Sequence, residues 1–290
     1  FQEALLIFQK TFPPWDEGIV PLMEAKYSFP VLYYYLIPYI QEGKVLIRKE
    51  YKKFFKLNLV KTNMEDTLKT TLFIPVLNEL EGSKIIMPRI KKEWFDEIIV
   101  VDGGSNDGTV EYYESNGYRV ISQKSKGLAA AYWECLEVAK GDIIVPFSPD
   151  NNSVPELLPQ LLEKMKEGYD MVIVSRYKGD AKSEDDDPIT AFGNWMFTKM
   201  VNILFRAEYT DVLVMYRAFR KDLIDRLEIT ERKHPTLEVM LCNRCAIRKL
   251  KVADLSGDEP KRIGGVRKMS PLYNGSVILW QIFKDFFTWS

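Results

Sequence analysis

Three stretches of this chain gather carboxylates, amides and hydroxyls within a few residues of one another. Each directly follows a short apolar run. Asn78 and Glu79 follow 71–76. Asp102, Ser105, Asn106, Asp107 and Thr109, interleaved with glycines, follow 97–101. Ser148, Asp150, Asn151 and Asn152 follow 142–147. Such side chains can line a ligand crevice. Ordinary turn and capping chemistry explains any one of the clusters equally well, but explains three at consecutive run ends poorly. A later stretch, 261–268, carries Lys261, Arg262, Arg267 and Lys268 among glycines. Guanidinium groups hold phosphate oxygens in pairs, and a solvated basic turn is the competing reading.

The elements that must position these groups repeat in order. Apolar and β-branched runs at 71–76, 97–101, 118–122, 142–147 and 170–175 predict strands. None alternates cleanly, which suits strands covered on both faces. Helical stretches fill the gaps at 81–92, 109–115, 127–140 and 155–167. Ser153 and Glu156 have the spacing of a capping box before the last of these, and Gly168 is a natural stop. Strands separated by helices predict a mostly parallel sheet with right-handed crossovers, and ligands at the C-terminal strand ends. Beyond that, 179–188 reads as a polar mobile loop. A helix is expected at 189–205, a strand at 212–219, and helices at 235–247 and 277–289.

Composition narrows the chemistry. Forty Lys and Arg against forty-one Asp and Glu leave a net charge of -1, which argues against bulk nucleic-acid binding. One histidine excludes schemes needing several, and three cysteines make no disulfide framework, so a reduced cytoplasmic setting is expected. Cys242 and Cys245 read as core thiols, and His234 as structural. No Gly-x-Gly-x-x-Gly follows the first strand, and neither a Walker loop nor a Gly-x-Ser-x-Gly elbow is present. Uncharged runs at 27–41 and 269–283 are too short to span a bilayer.

The ordered set of stretches resembles the inverting family 2 glycosyltransferases, with closest likeness to dolichyl- and polyprenyl-phosphate sugar synthases. The carriers are Ile74-Pro75-Val76-Leu77-Asn78-Glu79, the run from Val100 to Thr109, Lys126-Gly127-Leu128 with three alanines, the Asp150 segment and Ser175-Arg176-Tyr177. Then come Arg217-Ala218-Phe219-Arg220, and Glu259-Pro260 with Arg262, Gly264, Lys268 and Met269. The likeness covers 71–285. It implies an α/β GT-A nucleotide-diphospho-sugar transferase fold, with a mostly parallel central sheet flanked by helices.

The resemblance also implies roles. Pro75, Asn78, Glu79, Asp102 and Asp107 would line the nucleotide pocket, and Lys126 and Arg176 would add contacts to the nucleotide sugar. Asp150 falls on the last acid of the family's metal-binding Asp-x-Asp motif. The first is Ser148 here, a departure, so Asn152 is expected to lend an amide oxygen to Mg²⁺ or Mn²⁺. Arg262 and Lys268 would answer the charge of the departing diphosphate. Arg267 replaces the usual small residue before that lysine and is expected at the acceptor side with Glu238. Asp211 is the fallback base.

A phosphate acceptor needs little deprotonation, and no clear base is evident, so a polyprenyl phosphate is the first expectation. Two readings stay open beside it: transfer to a hydroxyl of a glycan or small molecule, and a non-catalytic nucleotide-binding or assembly subunit. The expected organisation is an accessory segment over 1–70, a catalytic domain over 71–270 and an amphipathic or packing helix over 271–290. The aromatic stretch 29–40 and the last helix are the candidates for peripheral contact with the cytoplasmic face of a membrane, packing or a homo-oligomer contact being the simpler explanation.

Overall fold

The computed structural model describes residues 68–234, 236–264 and 271–289. The expectations for the stretch 29–40 and for Arg267 and Lys268 lie outside these residues. Seven strands form one sheet: β1 (Thr70–Val76), β2 (Glu97–Asp102), β3 (Arg119–Ser122), β4 (Ile143–Pro146), β5 (Met171–Ser175), β6 (Arg217–Arg220) and β7 (Val252–Ser256). Their order across the sheet is β3-β2-β1-β4-β6-β5-β7. All neighbours are parallel except β6, which runs antiparallel to both β4 and β5. The sheet is therefore mixed and largely parallel, as in the GT-A fold.

Both faces are covered, and successive side chains go to opposite cores. Phe73, Ile99, Val101, Ile144, Met171, Ile173 and Phe219 enter one buried cluster. Leu72, Ile74, Val100, Ile143, Val145, Val172, Val174 and Ala218 enter the other. A strand with two dry faces has no polar side to alternate with, which explains the unbroken apolar runs. On the flanks lie α1 (Leu80–Ile86), α2 (Thr109–Ser115), α3 (Leu128–Val138), α4 (Leu158–Lys166), α5 (Pro188–Phe205), α6 (Leu223–Arg226), α7 (Leu237–Ile247) and α8 (Pro271–Trp289).

Several expectations need correction. The first helix stops at Ile86 rather than 92, because Pro88 cannot continue it and a 3-10 turn, Met87–Arg89, takes over. The capping box at Ser153 does not form. Pro155–Leu157 is a 3-10 turn, α4 begins at Leu158 without a side-chain cap, and Glu156 pairs with Arg89 at 2.7 Å instead. Only 217–219 of the expected 212–219 is strand. The guanidinium of Arg217, 1% exposed, donates to the carbonyls of Val212 and Val214 and holds the rest as a loop. Strand β7 carried no recognisable pattern, since it is a half-buried segment at the sheet edge.

The polar segment 179–188 is not a free loop. Glu184 N–H donates to the Glu259 carbonyl, Glu259 N–H to the Lys182 carbonyl, and Lys182 N–H to Asp258. Asp187 caps α5 by accepting from Ile189 and Thr190 N–H. Its backbone, and the Asp185 carboxylate that accepts from Arg262 N–H, are tied to a segment more than seventy residues away, which local composition does not encode.

Helix α8 packs on the domain through Ile278, Ile282 and Phe286. Asp285, fully buried, binds Arg244 of α7 at 3.0 Å. Among the described residues no helix is long and apolar enough to cross a membrane.

Candidate active site

The chain leaves β1 toward β2 and β3, then reverses across β1 to β4. That reversal opens a crevice at the C-terminal ends of β1 and β4, the usual ligand position in such sheets. Pro75 is tolerated in this central strand because the β1–β4 pairing ends at Phe73, so no partner waits for its missing N–H.

The first two polar clusters lock to each other. Asn78, with φ 53°, donates its N–H to Ser105 Oγ and accepts from Asn106 N–H through Oδ1, both at 2.8 Å. Glu79 N–H donates to Thr109 Oγ1, and Leu80 N–H to Asp107. Asp102 is buried and accepts from the N–H groups of Gly104 and Ser105. Asn78, Glu79, Asp102 and Asp107 are thus brought together as the sequence predicts, but Asp102 and Asp107 spend carboxylate oxygens on the loops that form the pocket. Lys126 is exposed on the loop before α3.

Burial pushes the Asp107 carboxyl up, yet the Thr109 hydroxyl and the N–H groups of Leu80 and Thr109 outweigh it and hold the group below its ordinary value of 3.8. A depressed folded-state pKa stabilises above the unfolded value and is lost as pH falls through the folded one. Asp107→Asn should therefore lower the melting temperature most near neutral pH, the gap to wild type closing in acid. A gap that does not change with pH would remove the ionic role.

The third cluster meets a residue from far along the chain. Asp150, 2% exposed, receives Arg262 Nη2 on Oδ2 at 2.6 Å and Asn152 N–H on Oδ1 at 3.1 Å. Arg262 Nη1 lies 3.6 Å from Glu79 Oε1, so one guanidinium spans the ends of β1 and β4. The segment is stitched in place: Asn152 Nδ2 donates to the Pro260 carbonyl, Asn151 Nδ2 to that of Lys261, and Ile263 N–H to that of Asp150. Helix α1 passes so close that a Cβ on Gly82 would lie 2.5 Å from the Pro149 carbonyl oxygen. Only glycine fits there.

A divalent ion can be weighed against this donor set. Among the described residues no three His, Cys, Asp or Glu side chains are grouped to hold a metal. Asp150 offers one carboxylate and Asn152 one amide oxygen, and Arg262 already sits on the former. The set fits Mg²⁺ or Mn²⁺ in company with a substrate diphosphate, which commonly completes the shell of such ions.

Beside this crevice lies a buried ionic group. Arg176 binds Asp211 in bidentate fashion at 2.7 and 3.1 Å, contacts Glu259 at 3.3 Å and lies 3.8 Å from Asp186. Tyr177 donates to Asp186, and Ser183 to Glu259. Burial pushes the Glu259 carboxyl up, against the pull of Arg176. Three expectations change here. Arg176 is engaged by acids rather than facing a nucleotide. Asp211 has no exposed surface and also accepts from Leu213 and Val214 N–H, so it cannot serve as a base for an incoming acceptor. Glu238 is turned inward, accepting from Tyr132 Oη at 2.7 Å, and is withdrawn from any acceptor. Sequence reasoning passed over Asp186, whose acidic loop looked solvated. Cys242 and Cys245 are buried thiols, as expected.

Residues 71–228 match the family model for glycosyl transferase family 2. The chain is 24% identical over 215 residues to the glycosyltransferase AglJ of Haloferax volcanii, covering 73% of this chain and 70% of that protein. It is 29% identical over 188 residues to a dolichyl-phosphate hexose transferase of the same organism, covering 65% and 80%. In fold it is similar to glucosyl-3-phosphoglycerate synthase of Mycobacterium tuberculosis, solved with Mn²⁺, UDP and phosphoglyceric acid. The TM-score is 0.62 at 20% identity, over 78% of this chain and 81% of that one. The polyprenyl phosphate expectation is corrected by this likeness. The same frame, over more than three quarters of the chain, is seen with phosphoglyceric acid, a small soluble molecule, in that enzyme's structure.

Proposed function

The chain belongs to glycosyl transferase family 2 and is a glycosyltransferase; on that premise we propose that it moves a sugar from a nucleotide-diphosphate sugar to a hydroxyl of a small soluble acceptor. The observation that carries the reading is the convergence of Glu79, Asp150 and Arg262 at the β1–β4 switch point. The nucleotide would lie along the Asn78–Glu79 and Asp102 loops, and the diphosphate against Asp150 and Arg262. Asp150 and Asn152 would hold Mg²⁺ or Mn²⁺, which when bound stabilises negative charge on the leaving diphosphate. Arg262, 25% exposed at its side chain, can leave Asp150 for phosphate oxygens, where its planar fork makes paired bonds. The acceptor oxygen forms its bond to the anomeric carbon as the bond to the diphosphate breaks, and the hydroxyl proton goes to a base or to water. The likeness in fold to an enzyme solved with phosphoglyceric acid supports a small soluble acceptor over a lipid phosphate.

A donor and acceptor screen tests the reading. Purified protein with UDP- or GDP-sugars, Mn²⁺ and a panel of soluble hydroxyl compounds, phosphoglyceric acid included, should give a glycosylated soluble product. Product formed only with a short-chain polyprenyl phosphate, or nucleotide binding without turnover on any acceptor, would overturn it.

A further inference from the structure

A cavity of about 300 Å³ lies between the turn before α7 and helix α8, and it shares no lining residue with the Asp150 crevice. Its volume is at the lower end of small-ligand pockets. Thr236, one of its lining residues, is 1% exposed, and its hydroxyl has no hydrogen-bond partner. Such buried polar atoms are costly and are usually satisfied by something. Thr236 also stands at the N-cap of α7 without making the capping bond that a threonine there ordinarily makes.

The other walls point to the class of ligand. Trp280, 70% exposed, presents an apolar ring with a polar edge. Glu231 is held below its ordinary value by Lys233 N–H, against the effect of burial, with His234 and Lys284 nearby. Lys284 also lines the cavity. Glu231 and Lys284 place one acidic and one basic side chain on the walls, so a phosphate would face Glu231 and a cation would face Lys284. Gln281 is 3% exposed and donates Nε2 to Asp285 at 3.0 Å, which fixes its side chain and leaves the amide carbonyl as an oriented acceptor. An aromatic wall with fixed donors and acceptors of both kinds suits a ligand with apolar C–H faces and a rim of hydroxyls.

We propose that this cavity binds a neutral sugar ring, at a subsite separate from the donor crevice. The proposal goes beyond the transfer reaction and does not depend on which acceptor that reaction uses. Binding of methyl glucoside, methyl mannoside, N-acetylglucosamine and maltose, followed by calorimetry and tryptophan fluorescence, tests it. At least one should bind saturably. Trp280→Ala should weaken it about tenfold, the range of one aromatic contact, and Thr236→Val several-fold. UDP affinity should stay unchanged in both variants, and neither should melt below wild type, which separates failure here from failure of the donor site. No saturable binding of any of these sugars, or equal binding by Trp280→Ala, would overturn the proposal. So would a preference for phosphoglyceric acid with the same dependence on Trp280, which would identify an anion pocket instead.

Discussion

Asp150→Asn is expected to lower turnover by about a hundred- to a thousandfold, the usual effect of removing one group that stabilises charge in the transition state. The change keeps shape and removes the charge that meets both Arg262 and a diphosphate-bound cation. The fold should survive, because the Asp150 carbonyl and the Asn152 amide still stitch the segment to Ile263 and Pro260. Arg262→Ala is the companion. Arg262 sits on the Asp150 carboxylate at 2.6 Å, so it competes with a metal for that oxygen. Its removal should tighten binding of Mn²⁺ alone while slowing transfer, two shifts of opposite direction that a merely structural residue would not produce. Unchanged turnover and metal dependence in Asp150→Asn would take the residue out of the mechanism.

The largest expected effect on stability lies far from the crevice. Asp285 accepts from Arg244 Nε and Nη2, Asn243 Nδ2 and Gln281 Nε2, all at 3.0–3.1 Å and all buried. Asp285→Ala leaves the Arg244 guanidinium without its carboxylate in a dry interface. Breaking a buried pair in this way costs about 3–5 kcal/mol. Arg244 retains the carbonyls of Leu227 and Glu228, so the charge cannot simply move to water. Chemical denaturation should show the loss as a lower midpoint. A change below about 1 kcal/mol would mean that α8 is held by its apolar contacts alone. Asp285→Asn should fall between the two, since it keeps one acceptor.

Much of the fold was legible along the chain because its signals are local. A strand buried on both faces must be apolar throughout, and such runs stood where β1, β2, β4 and β5 lie; β3, a half-exposed edge strand, was found by its β-branched residues alone. The polar residues just past them had to lie at strand ends, which placed Asn78, Glu79, Asp102 and Asp150 near one crevice before any coordinates. Misreadings arose where a local signal met a stronger distant partner. Glu156 had the spacing of a capping residue but was drawn to Arg89, sixty-seven positions away. The acids of 179–188 looked solvated, but Asp186 is drawn to Arg176 and Asp185 to the 258–263 segment. Strand β7 has neither two buried faces nor an alternating pattern, so nothing in its residues announced it.

The sequence by itself determined the α/β order and which residue types stand at each strand end, because periodicity and turn chemistry are written in neighbouring residues; the family followed from resemblance in the ordered set of motifs. It did not determine which charges remain available. Asp211, Glu238 and Arg176 are chemically competent side chains, and only the packing of β5, α3, α7 and the 258–263 segment encloses them. Arg262 becomes part of the site only because Gly82 lets α1 approach the Asp150 segment and the chain returns across it. The physical reason is one of range. A charge in water is set by its own pKa, whereas a charge in a protein is set by desolvation and by partners brought close through tertiary contacts. In this chain those partners lie as much as a hundred residues away.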